Sequence, residues 1–348
     1  MRPRIFLTTL ALSVPLALLS QAPVHARDLT IVNFGGANGD AQKIAFVKPY
    51  EEKTGKKVIS VAYNGEQAKV KAMVDSHNVI WDAVEVETSD LARVCDEGLY
   101  ENIDWASILN KSDIVAGGLD HCGVGIFVSS MVLAYNSNTL KTAPTSWADF
   151  WNVKKFPGKR ALRKTAFYTV ETALMADGVA PKDVYKVLAT PEGVDRAFKK
   201  LDELKPYIQW WEAGAQPPQM LASGDVVMSS AYNGRIDAAQ QEGQPLKIVW
   251  NQNLASFDYW AVPKGSSNKD AAIEFIKMAS SPSEQAAYSE HIAYGPVSKG
   301  AIAKLSPQLL ARVPNSPANA SNQLFQSVEF WTDHGEELEQ RFTAWAAQ

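Results

Sequence analysis

Three side chains suited to holding a small polar molecule lie near the ends of two apolar runs. Tyr232 and Arg235 end the run that begins at Leu221, and Asp258 lies within the second run, Ser256 to Pro263. Ligand-binding groups of α/β proteins are typically found where strands end. An aromatic ring, a permanent cation and a carboxylate in these positions predict a site that holds a small polar ligand by its two ends.

Each of these residues also has a structural interpretation. Arg235 is able to pair with Asp237 or Glu242 on the surface of a helix, and Asp258 is able to serve as a structural ion-pair partner. Tyr232 also fits the alternative of an aromatic residue packed in the hydrophobic core.

Further candidates for the site come from other aromatic and polar positions. Trp260 and Tyr294 are candidate walls, since aromatic faces attract a bound ammonium. Trp211 is interpreted either as a cleft wall or as a packing residue, and Phe34 and Asn38 are candidate cleft residues around the first glycine-rich turn.

Motifs for catalysis and for metal or cofactor binding are not found. The chain has no G-x-S-x-G, H-E-x-x-H, C-x-x-C or P-loop sequence. No two of the histidines after residue 26 have the spacing of metal ligands: His77, His121, His291 and His334. We therefore expect a binding protein rather than an enzyme, with no catalytic residues, cofactor or metal.

The N-terminus predicts export. Arg2 and Arg4 precede an apolar stretch from Ile5 to Leu19, and Val24–Ala26 resembles a cleavage site. The alternative is a membrane anchor, which needs a run of about 20 apolar residues. The stretch here is shorter, and Pro15 interrupts it. We predict a signal peptide over residues 1–26, a periplasmic protein and no stable membrane insertion.

Composition and charge narrow the class of protein further. The 348 residues are 46% hydrophobic and 21% charged, and the formal net charge is -4 at pH 7. Nucleic acid is not expected as a partner, because phosphate binding needs clustered Lys and Arg. The length exceeds what one hydrophobic core usually supports and predicts two domains.

The only two cysteines are predicted to form a disulfide. Cys95 and Cys122 form an even pair in a chain with an export signal. The alternatives are two buried free thiols, or a role as metal ligand or nucleophile.

Alternating strand-like and helix-like segments predict an α/β fold with mostly parallel sheets. Helices are expected to begin after Ser146, Thr190 and Ser281, each an N-cap residue. The longest strand-like run is Val124–Tyr135, and residues 136–138 end it.

Several short motifs occur in an order that resembles periplasmic spermidine/putrescine-binding proteins of ABC importers. Individually these motifs are weak, but together they span nearly the whole chain after residue 26. They are Ile31–Gly36, Trp81–Asp82, Leu133–Asn136, Ser146–Trp151, Phe156–Lys159, Leu221–Asp225, Tyr232–Gly234, Ala261–Pro263 and Tyr294–Pro296.

The resemblance implies a two-lobed periplasmic binding protein fold with two crossover strands and an interlobe cleft that closes on the ligand. The division it suggests is residues 27–135 plus about 256–300 for lobe 1, and 136–255 plus about 301–348 for lobe 2. It also implies ABC permease subunits as partners and a monomeric protein.

The residues that match the family's site distinguish two kinds of ligand. Tyr232, Asp258 and Tyr294 fall on its amine-binding residues. Two further acidic residues, which bind a second positive charge in the polyamine binders, fall on about Thr165 and Tyr168, and neither is an anion near neutral pH.

Cationic residues lie nearby instead. Arg163 follows the first crossing, and Arg235 follows the Tyr232–Gly234 motif. A guanidinium repels a dication and matches a carboxylate. The chain therefore resembles the gamma-aminobutyrate-binding branch, with Asp258 receiving the ammonium and Arg235 the carboxylate. Putrescine is an alternative ligand. Alternative functions are a ferric-ion-binding protein and an exported enzyme on the same general fold.

Overall fold

A computed structural model describes residues 27–348. The predicted signal peptide, residues 1–26, lies outside the described residues. Within the described part of the chain, no helix is long and apolar enough to cross a membrane.

Ten strands alternate with helices along residues 27–348, as the sequence predicts for an α/β protein. The strands are β1 Leu29–Asn33, β2 Val58–Ala62, β3 Ala83–Glu87, β4 Gly123–Asn136, β5 Arg160–Arg163, β6 Ile208–Trp211, β7 Met228–Tyr232, β8 Leu246–Ala261, β9 Gly295–Pro296 and β10 Leu324–Phe325.

The α-helices of the same region are mostly short and lie against both faces of the sheet. They are α1 Gly36–Gln42, α2 Lys48–Thr54, α3 Gln67–Asp75, α4 Thr88–Asp96, α5 Trp105–Ile108, α6 Trp147–Trp151, α7 Thr169–Ala176, α8 Val184–Leu188, α9 Pro191–Leu204, α10 Gln216–Ser223, α11 Asn233–Gln241, α12 Lys269–Ala279, α13 Pro282–His291, α14 Lys299–Ile302, α15 Pro307–Leu310 and α16 Val328–Ala346.

The predicted helix starts are confirmed, and their caps explain two of them. The Thr190 hydroxyl accepts a hydrogen bond from the backbone N–H of Gly193, 3.1 Å away, and α9 begins with a proline. Ser281 caps α13 in the same way. A capping oxygen and a proline in the first turn together fix where a helix begins.

One sheet runs through the molecule in the order β2-β1-β3-β8-β4-β7-β5-β6, with β9 beside β4 and β10 beside β8. Strands β1, β2 and β3 are parallel to one another, and so are β5, β6 and β7. Strand β8 is antiparallel to β3 and β4, and β4 is antiparallel to β7. The sheet is therefore mixed, and the predicted predominance of parallel pairing is wrong at its centre, where the long strands β4 and β8 run antiparallel to each other. We call the part around β1–β3 lobe 1 and the part around β5–β7 lobe 2.

The two long strands β4 and β8 belong to both lobes. They pair from Gly123 to Asn136, with a small change of register between Gly125 and Phe127 and a larger one between Met131 and Leu133. In β8 the larger change falls at residues 250–253, where Gln252 has a positive φ of 62°. A non-glycine residue in this conformation marks a local bend in the strand.

Separate hydrophobic clusters support the two lobes. In lobe 2, helices α7, α9 and α16 pack around strands β5 and β7. In lobe 1, one cluster places α12 and α13 on one face of the sheet, and another places α3 and α4 on the other. Strands covered on both faces are buried along their length, as all five residues of β1 are.

The predicted disulfide is present. Cys95 near the end of α4 is bonded to Cys122 just before β4, with 6.0 Å between their Cα atoms. It therefore ties the helix that follows β3 to the first crossover strand.

Candidate ligand-binding site

A small cavity lies between the lobes where several strands end. Phe34 follows β1, and Glu87, Arg163 and Tyr232 are the last residues of β3, β5 and β7. The carboxyl ends of parallel strands in the two lobes therefore face each other across the cavity, the usual place for a ligand in an α/β protein.

Seven of the nine predicted ligand-binding residues line this cavity. They are Phe34, Asn38, Arg163, Tyr232, Arg235, Asp258 and Tyr294. The cavity volume is about 20 Å³, close to what one water molecule needs. The lobes are thus closed on each other, and an amino acid or a diamine requires them to separate first.

Trp211 and Trp260 do not line the cavity. Trp211 lies behind it, with its ring centre 6.0 Å from the Arg163 guanidinium carbon. Trp260 packs edge-on against Phe275 in the core of lobe 1. Any contact of these two residues with a ligand stays a prediction.

Asp258 is a buried carboxylate without a hydrogen-bond partner on one of its oxygens. It lies in β8 and is 5% exposed, and its Oδ1 has no partner among residues 27–348. Burial and the neighbouring carboxylates of Glu85 and Glu87 raise the pKa of Asp258 well above its usual value. An ammonium group at this oxygen would compensate the buried charge.

Glu85 is a buried close neighbour of Asp258 and is held by amide donors. Both of its carboxylate oxygens accept from the Asn38 side chain, at 2.9 and 3.0 Å, and Gln42 donates at 2.9 Å. Burial raises the pKa of Glu85, against the opposing effect of these donors. The Asn38 side chain therefore has two roles: it holds Glu85 in place, and it lines the cavity.

Arg235 reaches from lobe 2 to the first turn of lobe 1. Its Nη1 and Nη2 donate to the carbonyl oxygens of Gly35 and Phe34, at 2.9 and 3.1 Å. Its Nε is buried and has no acceptor among the described residues. The guanidinium is thus held by neutral carbonyls, and no carboxylate of residues 27–348 is paired to its charge.

Arg163 is paired across the cavity in a different way. Its two terminal nitrogens donate to the two oxygens of Glu87, both at 2.9 Å. Its Nη1 also donates to the Tyr232 hydroxyl at 2.7 Å, and that hydroxyl donates in turn to Glu87. This pair also faces a groove of about 820 Å³ between α4 and α16, so it separates the cavity from the groove.

Aromatic rings form the remaining wall. Tyr294 stacks on Phe127 with 4.5 Å between ring centroids and 16° between planes. Gly234 lets Tyr294 lie close to α11, because a Cβ there would be 2.7 Å from the ring. Phe34 stacks on Tyr63 at 5.1 Å.

The sequence interpretation missed four lining residues: Asn64, Glu87, Phe127 and Gly214. Glu212, next to Trp211 in a segment considered as a cleft wall, also lines the cavity. A signal for Glu87 was available, because Val84–Glu87 alternates valine and glutamate at the end of a strand. Carboxylates at the carboxyl end of an interior strand are candidates for a site.

The residues aligned with the second acidic site of the polyamine binders have other partners. The Thr165 hydroxyl donates to Glu339, and the Tyr168 hydroxyl is 2.8 Å from that of Ser256. Within residues 27–348, the one group with metal-ligand spacing contains Asp120, His121 and the two disulfide-bonded cysteines.

Comparison with known proteins gives relatives of one kind. Residues 45–319 match the family described as bacterial extracellular solute-binding protein. The gamma-aminobutyric acid-binding protein of Pseudomonas aeruginosa is 57% identical over 333 residues, which cover 96% of this chain and 95% of that protein. The spermidine/putrescine-binding periplasmic protein of Escherichia coli is 24% identical over 276 residues, 76% of each chain.

A solved structure of the Atu4243 GABA receptor is similar throughout. It is 35% identical, has a TM-score of 0.82 and covers 92% of this chain and 98% of its own. The predicted resemblance to polyamine-type solute-binding proteins and the predicted two-lobed α/β fold are confirmed by these relatives.

Proposed function

The chain belongs to the family of bacterial extracellular solute-binding proteins, and on this premise we propose that it captures gamma-aminobutyrate, or a closely similar amino acid, for an ABC importer. It then delivers the ligand to the permease subunits in the membrane. The relative at 57% identity is a gamma-aminobutyric acid-binding protein, which supports this assignment.

The choice of ligand rests on one observation. Asp258 Oδ1 and Arg235 Nε are both buried, both lack a hydrogen-bond partner among the described residues, and belong to residues lining the same cavity. One is an acceptor on an acid and the other a donor on a cation. A zwitterion with an ammonium at one end and a carboxylate at the other satisfies both.

Putrescine is the second candidate, favoured by the charges around the cavity. Three acidic side chains lie around the cavity, compared with two guanidinium groups. The acids are Glu85, Glu87 and Asp258, and the guanidinium groups are those of Arg163 and Arg235. An excess of acid favours a cation, but Arg235 with no paired carboxylate opposes the second ammonium of a diamine.

The remaining parts of the proposal follow from the family. The protein acts as a monomeric, non-enzymatic binding protein in the periplasm, after export through the predicted signal peptide. Its lobes comprise residues 27–135 plus about 256–300, and 136–255 plus about 301–348. The register change in β4 and the bend at Gln252 lie close to the two proposed passages between lobes and support this division.

Ligand capture begins from an open form and ends in a closed one. The Arg163–Glu87 pair and the Arg235 contacts to Phe34 and Gly35 join the lobes in the closed form. The ligand favours closure because only the closed form brings Asp258 and Arg235 to its two ends.

Calorimetric titration with gamma-aminobutyrate, putrescine and spermidine tests the proposal. We expect Arg235→Gln to weaken gamma-aminobutyrate about tenfold or more and putrescine much less, because only the former has a carboxylate. Asp258→Asn should weaken both. Arg196→Gln, which removes an exposed arginine paired with Asp177, is the control for loss of one positive charge.

Two results would contradict the proposal. One is tighter binding of spermidine or putrescine than of gamma-aminobutyrate to the wild type. The other is unchanged binding of gamma-aminobutyrate in the Arg235→Gln variant.

A further inference from the structure

Glu87 holds the guanidinium of Arg163 at the boundary of the cavity. The pair is bidentate, with two N–O distances of 2.9 Å, and both side chains are largely buried, at 6% and 14% exposure. The Tyr232 hydroxyl bonds to both partners and fixes their orientation. Paired charges that are bonded this way have little freedom to turn elsewhere.

Glu87 is also the direct neighbour of the proposed ammonium receptor. Strands β3 and β8 are antiparallel, and Glu87 is in register with Asp258. Residues directly opposite each other in such a pair have Cβ atoms about 5 Å apart on one face of the sheet. Arg163 is therefore close to both carboxylates, yet it is hydrogen-bonded to Glu87, and Asp258 Oδ1 has no partner among residues 27–348.

We propose that Glu87 is a specificity-determining residue: by occupying Arg163 it keeps Asp258 available for an ammonium and denies the site a second receptor for a carboxylate. The inference rests on the proposed function, since it explains how the same site chooses among amino acids. Under this proposal, the site rejects ligands that carry a carboxylate on the same carbon as the ammonium.

Glutamate is the informative comparison, because it is gamma-aminobutyrate with a carboxylate added to the ammonium-bearing carbon. With its ammonium at Asp258, glutamate places that extra carboxylate beside Asp258 and Glu87, which repel it. The cation that would bind it, Arg163, already has both terminal nitrogens bonded to Glu87. The site therefore excludes glutamate by charge.

The experiment titrates gamma-aminobutyrate and glutamate into four proteins: wild type, Glu87→Gln, Arg163→Met and the double variant. In Glu87→Gln the freed guanidinium lies beside Asp258. We expect gamma-aminobutyrate to bind about tenfold or more weakly, glutamate to bind more tightly, and the preference between them to shrink accordingly.

The double variant tests whether Glu87 affects ligand binding through Arg163. If Glu87 acts through Arg163, removing both restores gamma-aminobutyrate binding to within about threefold of wild type and restores the rejection of glutamate. Equal loss of gamma-aminobutyrate in the single and double variants, with no gain for glutamate, would overturn the proposal, as would unchanged binding in Glu87→Gln.

Folding and the identity of the ligand are controlled separately. Circular dichroism and melting temperature report whether each variant is folded. If Glu87→Gln is not folded, Glu87→Asp serves instead: it retains the charge and is expected to retain the rejection of glutamate, and loss of that rejection refutes the proposal. If the wild type binds putrescine but not gamma-aminobutyrate, the proposed function fails. The same cycle run with putrescine then tests whether Arg163 freed from Glu87 weakens amine binding.

Discussion

Glu171 is expected to make the stability of the protein fall as pH rises. Its side chain is fully buried in α7, and its Oε1 accepts from Trp331 Nε1 at 2.9 Å and from the Tyr185 hydroxyl at 3.1 Å. Burial raises the pKa of Glu171 from 4.5 to about 8, against the effect of these donors, and the charge of Glu339 raises it further. The folded state therefore favours the protonated acid.

The sign and size of the effect follow from this shift. Below pH 4.5 the acid is protonated in both the folded and the unfolded protein. Between pH 4.5 and about 8 only the folded protein holds the proton, so stability is lost steadily and then levels off. At about 1.4 kcal/mol for each pKa unit, the full loss is on the order of 5 kcal/mol.

Glu171→Gln separates this effect from all other titrations. The amide keeps an oxygen for Trp331 and Tyr185 and replaces Oε2, which has no partner among the described residues, with a neutral group. In urea unfolding, we expect the variant to match wild type within about 1 kcal/mol at pH 4.5 and to be several kcal/mol more stable at pH 9.

Glu192→Gln, at an exposed position at the start of α9, is the control and should show the same pH profile as wild type. A stability difference between Glu171→Gln and wild type that stays constant from pH 4.5 to 9 would refute the reasoning, because a group with equal pKa in both states contributes no pH dependence.

Three further outcomes are expected. Reduction of the disulfide, which closes a loop with a sequence separation of 27, should lower the free energy of unfolding by about 3 kcal/mol, measured by denaturant titration with and without reductant. Gly36→Ala should weaken gamma-aminobutyrate about tenfold, because φ is +55° and the new Cβ would lie 2.6 Å from Arg235 Nη1. Gly178→Ala, also at positive φ but with open space around it, is the control and should leave affinity unchanged. Binding of an ammonium beside Asp258, whose pKa is raised, should release a proton and tighten as pH rises toward that pKa, and calorimetric heats that do not depend on the ionisation enthalpy of the buffer would argue against this.

The positions of Tyr232 and Asp258 could be predicted because each is near the end of a marked apolar run. The alternation along Val84–Glu87 marks Glu87 as a candidate, but its burial could not be predicted, because that depends on β8, which lies more than 150 residues further along the chain and inserts beside β3. A single-sequence pattern records alternation along β3 but not the strand that covers it. Non-local pairing of this kind decides which polar residues of a strand are buried.

The two tryptophans illustrate the same limit. Trp260 is two residues beyond Asp258 on β8 and packs in the core of lobe 1 against Phe275. Trp211 ends β6, the edge strand of lobe 2, and lies behind Arg163. Their aromatic character was readable from the sequence, but their depth in the molecule depends on how far the strand extends past the cavity.

The position of β8 in the sheet has a consequence for the order in which the chain folds. Strand β8 lies between β3 and β4 and is the last long strand to be synthesised, beginning at Leu246. Until it emerges, β3 and β4 have no strand to join them, and the sheet is divided at its centre. Pairing of such distant segments is slow and leaves unpaired edges exposed in the meantime. We therefore expect nascent chains ending before Leu246 to stay incompletely folded in lobe 1 and to depend on chaperones, whereas release of β8 joins the two halves of the sheet between β3 and β4.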